Sequence, residues 1–243
     1  MKFLNNLKYI IFKLERYINE KKTSQGIHYV FKNNHSDKLV VVFSGIGGDY
    51  NYRRSFRASS WDQLYIKDSW AGGVSYYLYE NGENRPEEYT SSFIEEFLKG
   101  KQYKTIASFG SSKGDSAALY FGLKHNFNHI YAGACQFLFG DYLGIYHEKS
   151  KSGYYHRVMG GGNVDGVKVL NDCYKRIVDD NKNSQCIVYL VYSTKEHTYE
   201  DHIVHLIKKL DESNIHHEDQ IETFPEHSMI GNYMKELCSL RFK

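Results

Sequence analysis

Gly110-Ser111-Ser112-Lys113-Gly114 is the segment of this chain best fitted to do chemistry. An apolar stretch ending at Phe109 precedes it, and the small residues Ala117 and Ala118 follow it. Together they read as a strand, a tight Gly-x-Ser-x-Gly turn and the start of a helix. The glycines two before and two after the serine leave room where a Cβ would clash across the bend. Such a turn exposes the Ser112 hydroxyl at the carboxyl edge of a sheet, facing the N–H groups of the new helix. The chemistry this suits is acyl transfer through a serine nucleophile.

A serine hydroxyl needs a base within reach and an acid to orient that base. The order around such a turn is serine, acid, histidine. Of the 12 histidines, His227 is placed best. It follows the last strand-like segment, Gln220 to Phe224, and precedes the last helix, Ile230 to about Leu240. The acid belongs after the apolar strand Cys186 to Tyr192. Glu196 lies just off that strand's end. Asp201 is the alternative, although it also suits the first turn of the next helix. Negative charge developing on a carbonyl oxygen needs backbone N–H donors. One is expected at Lys113. The other is expected at Gly45 or Ile46, in the turn after Leu39-Val40-Val41-Val42-Phe43. Arg53, Arg54 and Arg57 follow that turn and suit an anionic substrate such as a coenzyme A phosphate, a sugar phosphate or an acidic glycan. A solvated basic loop is the other account of them. Asp115 places a carboxylate at the helix N-terminus, which the helix dipole favours.

The elements that must hold these groups alternate. Strands are expected at Ile27 to Phe31, Leu39 to Phe43, Leu64 to Ile66, Val74 to Tyr79, Tyr103 to Phe109, His129 to Cys135, Cys186 to Tyr192 and Gln220 to Phe224. Helices are expected at Pro86 to Leu98, Ser112 to His125, Val167 to Val178, Glu200 to Leu210 and Ile230 to Leu240. This alternation predicts a mostly parallel sheet with right-handed crossovers. Residues 137–163 have no clear period and suit a cap or lid over the site. With 243 residues, 2 prolines and no linker-like stretch, one domain is expected.

Phe3, Leu4, Leu7, Ile10, Ile11, Leu14 and Ile18 are spaced for one face of a helix within residues 1–22. Lys8, Lys13, Glu15 and Arg16 interrupt any apolar run, so neither a signal peptide nor a membrane span is expected there. The helix reads as docked on the domain; its face also suits a membrane surface or a homodimer contact. A net charge of +2 gives no argument for nucleic acid. The four cysteines form no C-x-x-C pair, so neither a metal site nor a disulfide framework is indicated. Reduced, mostly buried thiols in a cytoplasmic protein are expected. The 22 tyrosines need partners for their hydroxyls, which favours a rim or cleft; composition bias would also explain them.

The chain resembles the α/β-hydrolase superfamily. Within it, the chain is similar to bacterial capsular-polysaccharide O-acetyltransferases of that fold. The similarity lies in Gly110-Ser111-Ser112-Lys113-Gly114 with Ala117-Ala118-Leu119-Tyr120-Phe121-Gly122-Leu123, in the Lys195-Glu196 loop and in the late His227 loop. It departs at Asp115, where that family has glycine, and at Glu196, where aspartate is commoner. The resemblance implies an α/β-hydrolase-like three-layer sandwich. It also implies a double displacement: Ser112 takes an acetyl group from acetyl-CoA, and a glycan hydroxyl then takes it from the enzyme. No bound cofactor is expected, and the expected location is the cytoplasm or, through the N-terminal helix, the inner face of the membrane. Two other readings stay open. One is a serine esterase or thioesterase using the same residues. The other is a non-catalytic accessory protein in glycan or protein export.

Overall fold

The computed structural model describes residues 19–47, 49–147, 153–161 and 165–243. It contains one eight-stranded sheet in the order β1-β2-β4-β3-β5-β6-β7-β8. The strands are β1 (Lys21–Lys22), β2 (His28–Lys32), β3 (Lys38–Phe43), β4 (Asp62–Lys67), β5 (Thr105–Ser111), β6 (His129–Gly133), β7 (Ile187–Ser193) and β8 (His217–Glu222). β1–β2 and β2–β4 pair antiparallel, and every other neighbouring pair, from β4–β3 to β7–β8, is parallel. The longer helices are α1 (Arg85–Leu98), α2 (Lys113–Lys124), α3 (Gly166–Asp180), α4 (Val204–Glu212) and α5 (Ile230–Arg241). The fold is α/β-hydrolase-like, a mostly parallel sheet between helical layers.

The continuous apolar run of β3 is explained by burial on both faces. Leu39, Val41 and Phe43 pack with Phe93 and Ile94 of α1 and Ala117, Ala118 and Phe121 of α2. Val40 and Val42 point the other way, toward Phe56, Phe109 and Met234 and Leu237 of α5. Further along the sheet, Ile130 and Leu190 pack with Leu119, Leu170 and Leu206, while Tyr131 and Val191 face α5. Thus α1 to α4 cover one face, and α5 with the 50–61 segment covers the other.

Three expectations are corrected. Val74 to Tyr79 is a series of turns, not a strand. Tyr76 and Tyr77 have φ of 54° and 61°, which an extended strand does not allow. Both sides of β3 and β4 are already paired, so the sheet has no vacancy beside them. The last strand is His217–Glu222, earlier than Gln220 to Phe224. As an edge strand it is exposed and polar, and no alternation of apolar residues marks it. The helix expected within residues 1–22 falls mostly on residues 1–18, outside the described residues; Lys21–Lys22 is a strand. Within 137–163, the described residues form short helical turns at Phe139–Asp141, Tyr142–His147 and Tyr154–Met159. The four cysteines are buried free thiols. Tyr50, Tyr52 and Tyr142 do line a cleft beside Ser112, but Tyr65, Tyr76, Tyr77 and Tyr174 are fully buried in the core.

Candidate active site

β5 ends at Ser111 and α2 begins at Lys113, so Ser112 alone makes the turn. Its backbone sits at φ 55° and ψ −127°. A non-glycine residue there is strained, and surrounding structure must hold it. Ser112 N–H donates to Gly133 O at 2.8 Å, and Ser112 O accepts from Asp115 N at 3.0 Å. The flanking glycines are sterically required. A Cβ at Gly110 would collide with the Gly114 carbonyl. A Cβ at Gly114 would lie 2.5 Å from Phe43 O, at the end of β3.

The candidate groups all emerge at the carboxyl edge of the parallel strands, where ligands bind in open α/β sheets. Ser112 follows β5, Glu196 follows β7 and His227 follows β8. Ser193 Oγ donates to Phe224 O at 2.6 Å and ties the loops after β7 and β8 together. Ser112 Oγ lies 2.9 Å from His227 Nε2. On the far side of the ring, His227 Nδ1 lies 3.0 Å from Glu196 Oε2. The other carboxylate oxygen of Glu196 accepts from the Thr198 hydroxyl. Burial alone would raise the Glu196 carboxyl. Hydrogen bonds from His227 and Thr198 outweigh burial and hold it below the ordinary glutamate range. It therefore stays ionised at neutral pH. With the proton of His227 on Nδ1, facing Glu196, Nε2 would be free to accept the Ser112 proton.

Asp201, the alternative acid, is exposed in the helical turn Tyr199–Ile203, and the carboxylate on His227 Nδ1 is that of Glu196. Glu196→Gln is expected to lower kcat about 10²- to 10⁴-fold by weakening the hold on that tautomer. Asp201→Ala is expected to stay within about twofold, as an exposed side chain away from the reacting atoms. Steady-state kinetics of the two variants side by side checks the assignment; a larger loss in Asp201→Ala would reverse it.

Of the residues expected to stabilise an oxyanion, Lys113 occupies the first position of α2, where its N–H has no intrahelical partner. Gly45 differs from expectation: its N–H donates to Asn51 Oδ1 at 2.9 Å. Ile46 is the remaining donor on that turn, and it borders the same cleft.

The cleft has a volume of about 790 Å³ and opens over Ser112 and His227. Arg53, Arg54 and Lys235 line it, and none of its described lining residues is acidic. Arg57 is corrected: it is exposed and outside the cleft, with its carbonyl accepting from Lys32 Nζ at 3.4 Å. Lys235 takes its place because α5 passes the cleft after the His227 loop, a proximity that sequence spacing does not reveal.

Gln136 was not foreseen, and Asp115 is more deeply buried than its expected place at the helix N-terminus suggests. Gln136 is fully buried, and its Nε2 lies 3.4 Å from both Ser112 Oγ and His227 Nε2, held by Ala134 O at 3.0 Å. Its position just past the end of β6, beside β5, was the available signal. Asp115 is also fully buried. Its Oδ1 accepts from Ser116 Oγ at 3.2 Å, and its Oδ2 has no partner. Burial raises its carboxyl well above the aspartate range.

No family model and no curated protein matches the sequence. Solved structures do match the fold. A point mutant of the capsule O-acetyltransferase of Neisseria meningitidis serogroup A, in complex with CoA, has a TM-score of 0.77 at 16% identity, covering 92% of this chain and 94% of that one. A glycosylation-associated protein complex (Gap123) from Streptococcus agalactiae has a TM-score of 0.72 at 16% identity, covering 90% of this chain and 45% of that one. FphF, a fluorophosphonate-binding serine hydrolase of Staphylococcus aureus, has a TM-score of 0.65 at 10% identity, covering 92% and 96%. The fold is therefore that of the α/β-hydrolases, and it resembles capsule O-acetyltransferases.

Proposed function

We propose that this protein is a serine-dependent O-acetyltransferase that carries an acetyl group from acetyl-CoA to a hydroxyl of a capsular or other surface polysaccharide. The observation that carries the reading is the path from Glu196 through His227 to Ser112, at 3.0 and 2.9 Å, beneath an open cleft with a cationic lining. Ser112 Oγ attacks the thioester carbonyl while its proton passes to His227 Nε2. The Lys113 and Ile46 N–H groups stabilise the resulting oxyanion. The C–S bond breaks, and His227 gives its proton to the departing thiolate. A sugar hydroxyl then loses its proton to His227 and attacks the Ser112 ester, and Ser112 regains the proton from His227 as it leaves. Arg53, Arg54 and Lys235 suit the phosphates of the donor or an acidic acceptor. Within the expected cap, 137–163, the described turn that carries Tyr142 borders the cleft.

Hydrolysis is the second reading, favoured by the likeness to FphF. It uses the same residues, with water resolving the acyl-enzyme. Among the described residues, no helix is long and apolar enough to cross a membrane. Incubation with acetyl-CoA, with and without capsular oligosaccharide, separates the readings. Transfer predicts acetyl on the sugar and faster CoA release when the sugar is added. CoA release that is the same with any glycan would overturn the transferase reading.

A further inference from the structure

Lys113 is expected to contribute its backbone N–H, yet its side chain is the unusual part. The ammonium is fully buried and lies 2.8 Å from Asp68 Oδ2, itself fully buried. Asp68 Oδ1 accepts from Ser75 Oγ at 2.6 Å and from Trp70 N at 3.2 Å. Asp68 N–H donates to Ser44 Oγ at 3.1 Å, and Ser44 Oγ shares a hydrogen bond with Tyr77 OH at 2.8 Å. Tyr77 OH in turn accepts from Ser44 N at 2.7 Å and donates to Ile66 O at 2.9 Å. Ser44 immediately precedes the Gly45-Ile46 turn. One network of directed bonds thus joins both sides of the expected oxyanion hole, Lys113 after the nucleophile and Ser44 before the second donor.

Stability does not account for this pair. Burying two charges costs several kcal/mol per ion, and apolar residues of similar volume serve as well or better. Directed bonds do what apolar packing does not: they fix distance and angle. The backbone is also held in sparse conformations to build the network, with Tyr76 and Tyr77 both at positive φ. The two walls pass close together, since a Cβ at Gly114 would meet Phe43 O and Ser44 C.

The geometry points to Asp68 and the Lys113 side chain as a positioning brace that sets the separation of the two oxyanion donors; it rests on the reading of Lys113 and Ile46 as those donors. The brace touches no reacting atom. Its loss therefore acts on the transition state more than on substrate binding.

The test uses p-nitrophenyl acetate turnover and thermal melting of the full chain. Lys113→Met keeps the backbone N–H and strands the Asp68 charge. Both Tm and kcat are expected to fall, with kcat down about 10- to 100-fold and KM within about twofold. The paired variant Asp68→Leu/Lys113→Met removes both charges. Its Tm is expected to recover while kcat stays at least about tenfold low. A purely structural pair predicts that kcat recovers with Tm, and that result would overturn the brace. Ser44→Ala, a small change that opens the link between Asp68 and Tyr77, decides the matter if the paired variant does not fold. It is expected to lower kcat with KM unchanged, and an unchanged kcat would overturn the brace. Ser112→Ala separates the two levels: turnover surviving it overturns the site reading and the brace together, whereas turnover lost in Ser112→Ala but intact in the paired variant overturns the brace alone.

Discussion

Ser112→Ala is expected to lower acetyl transfer about 10⁴- to 10⁶-fold, because Ser112 Oγ is the hydroxyl that lies on His227 Nε2. The variant should fold. Alanine adds no atoms to the turn, and the backbone carries the strain with either residue. Tm should shift by no more than a few degrees, since the hydroxyl is only half-buried and its partner His227 borders the cleft. Labelling by a fluorophosphonate probe should disappear in parallel. Melting curves, kinetics and labelling on one preparation check all three. Substantial turnover in a folded Ser112→Ala protein would remove the serine from the mechanism.

His227→Ala is expected to cost a similar factor, about 10⁴- to 10⁶-fold in kcat. Ser112 Oγ loses the acceptor 2.9 Å away, and no other described base lies on the nucleophile. Gln136 Nε2, at 3.4 Å, donates and accepts no proton. His197 is near, its ring 5.6 Å from that of His227, but its Nδ1 faces Glu196 Oε2 at 3.6 Å. It is placed to touch the acid and not the serine. The double variant Ser112→Ala/His227→Ala should be little worse than either single one, because both act in one proton path. Multiplying losses in the double variant would mean that the two residues act in separate steps.

The legible parts of this site share a cause. Ser112, Glu196 and His227 each follow a buried or near-terminal strand, so strand ends and chain order locate them without any knowledge of packing. Gly110 and Gly114 are legible because a steric demand selects glycine. The illegible parts depend on approach across the sheet. Asp68 reaches Lys113 only because the chain after β4 folds over the end of β3, and nothing near Asp68 marks it as a partner. Lys235 enters the cleft through the path of α5. Val74 to Tyr79 has an apolar composition that suits a strand, but its buried tyrosines are delivered by positive-φ turns to two different cores. β8 is hidden for the opposite reason: an exposed edge strand has no apolar alternation to show.

Acyl transfer through Ser112 is tested most directly by trapping the intermediate. The protein is mixed with acetyl-CoA without acceptor, quenched in acid, digested and analysed by mass spectrometry. One acetyl group is expected on the peptide containing Ser112. On adding capsular oligosaccharide before the quench, the group should leave that peptide and appear on the sugar. Turnover of acetyl-CoA with the Ser112 peptide unmodified and the acetyl group on another side chain would contradict the account.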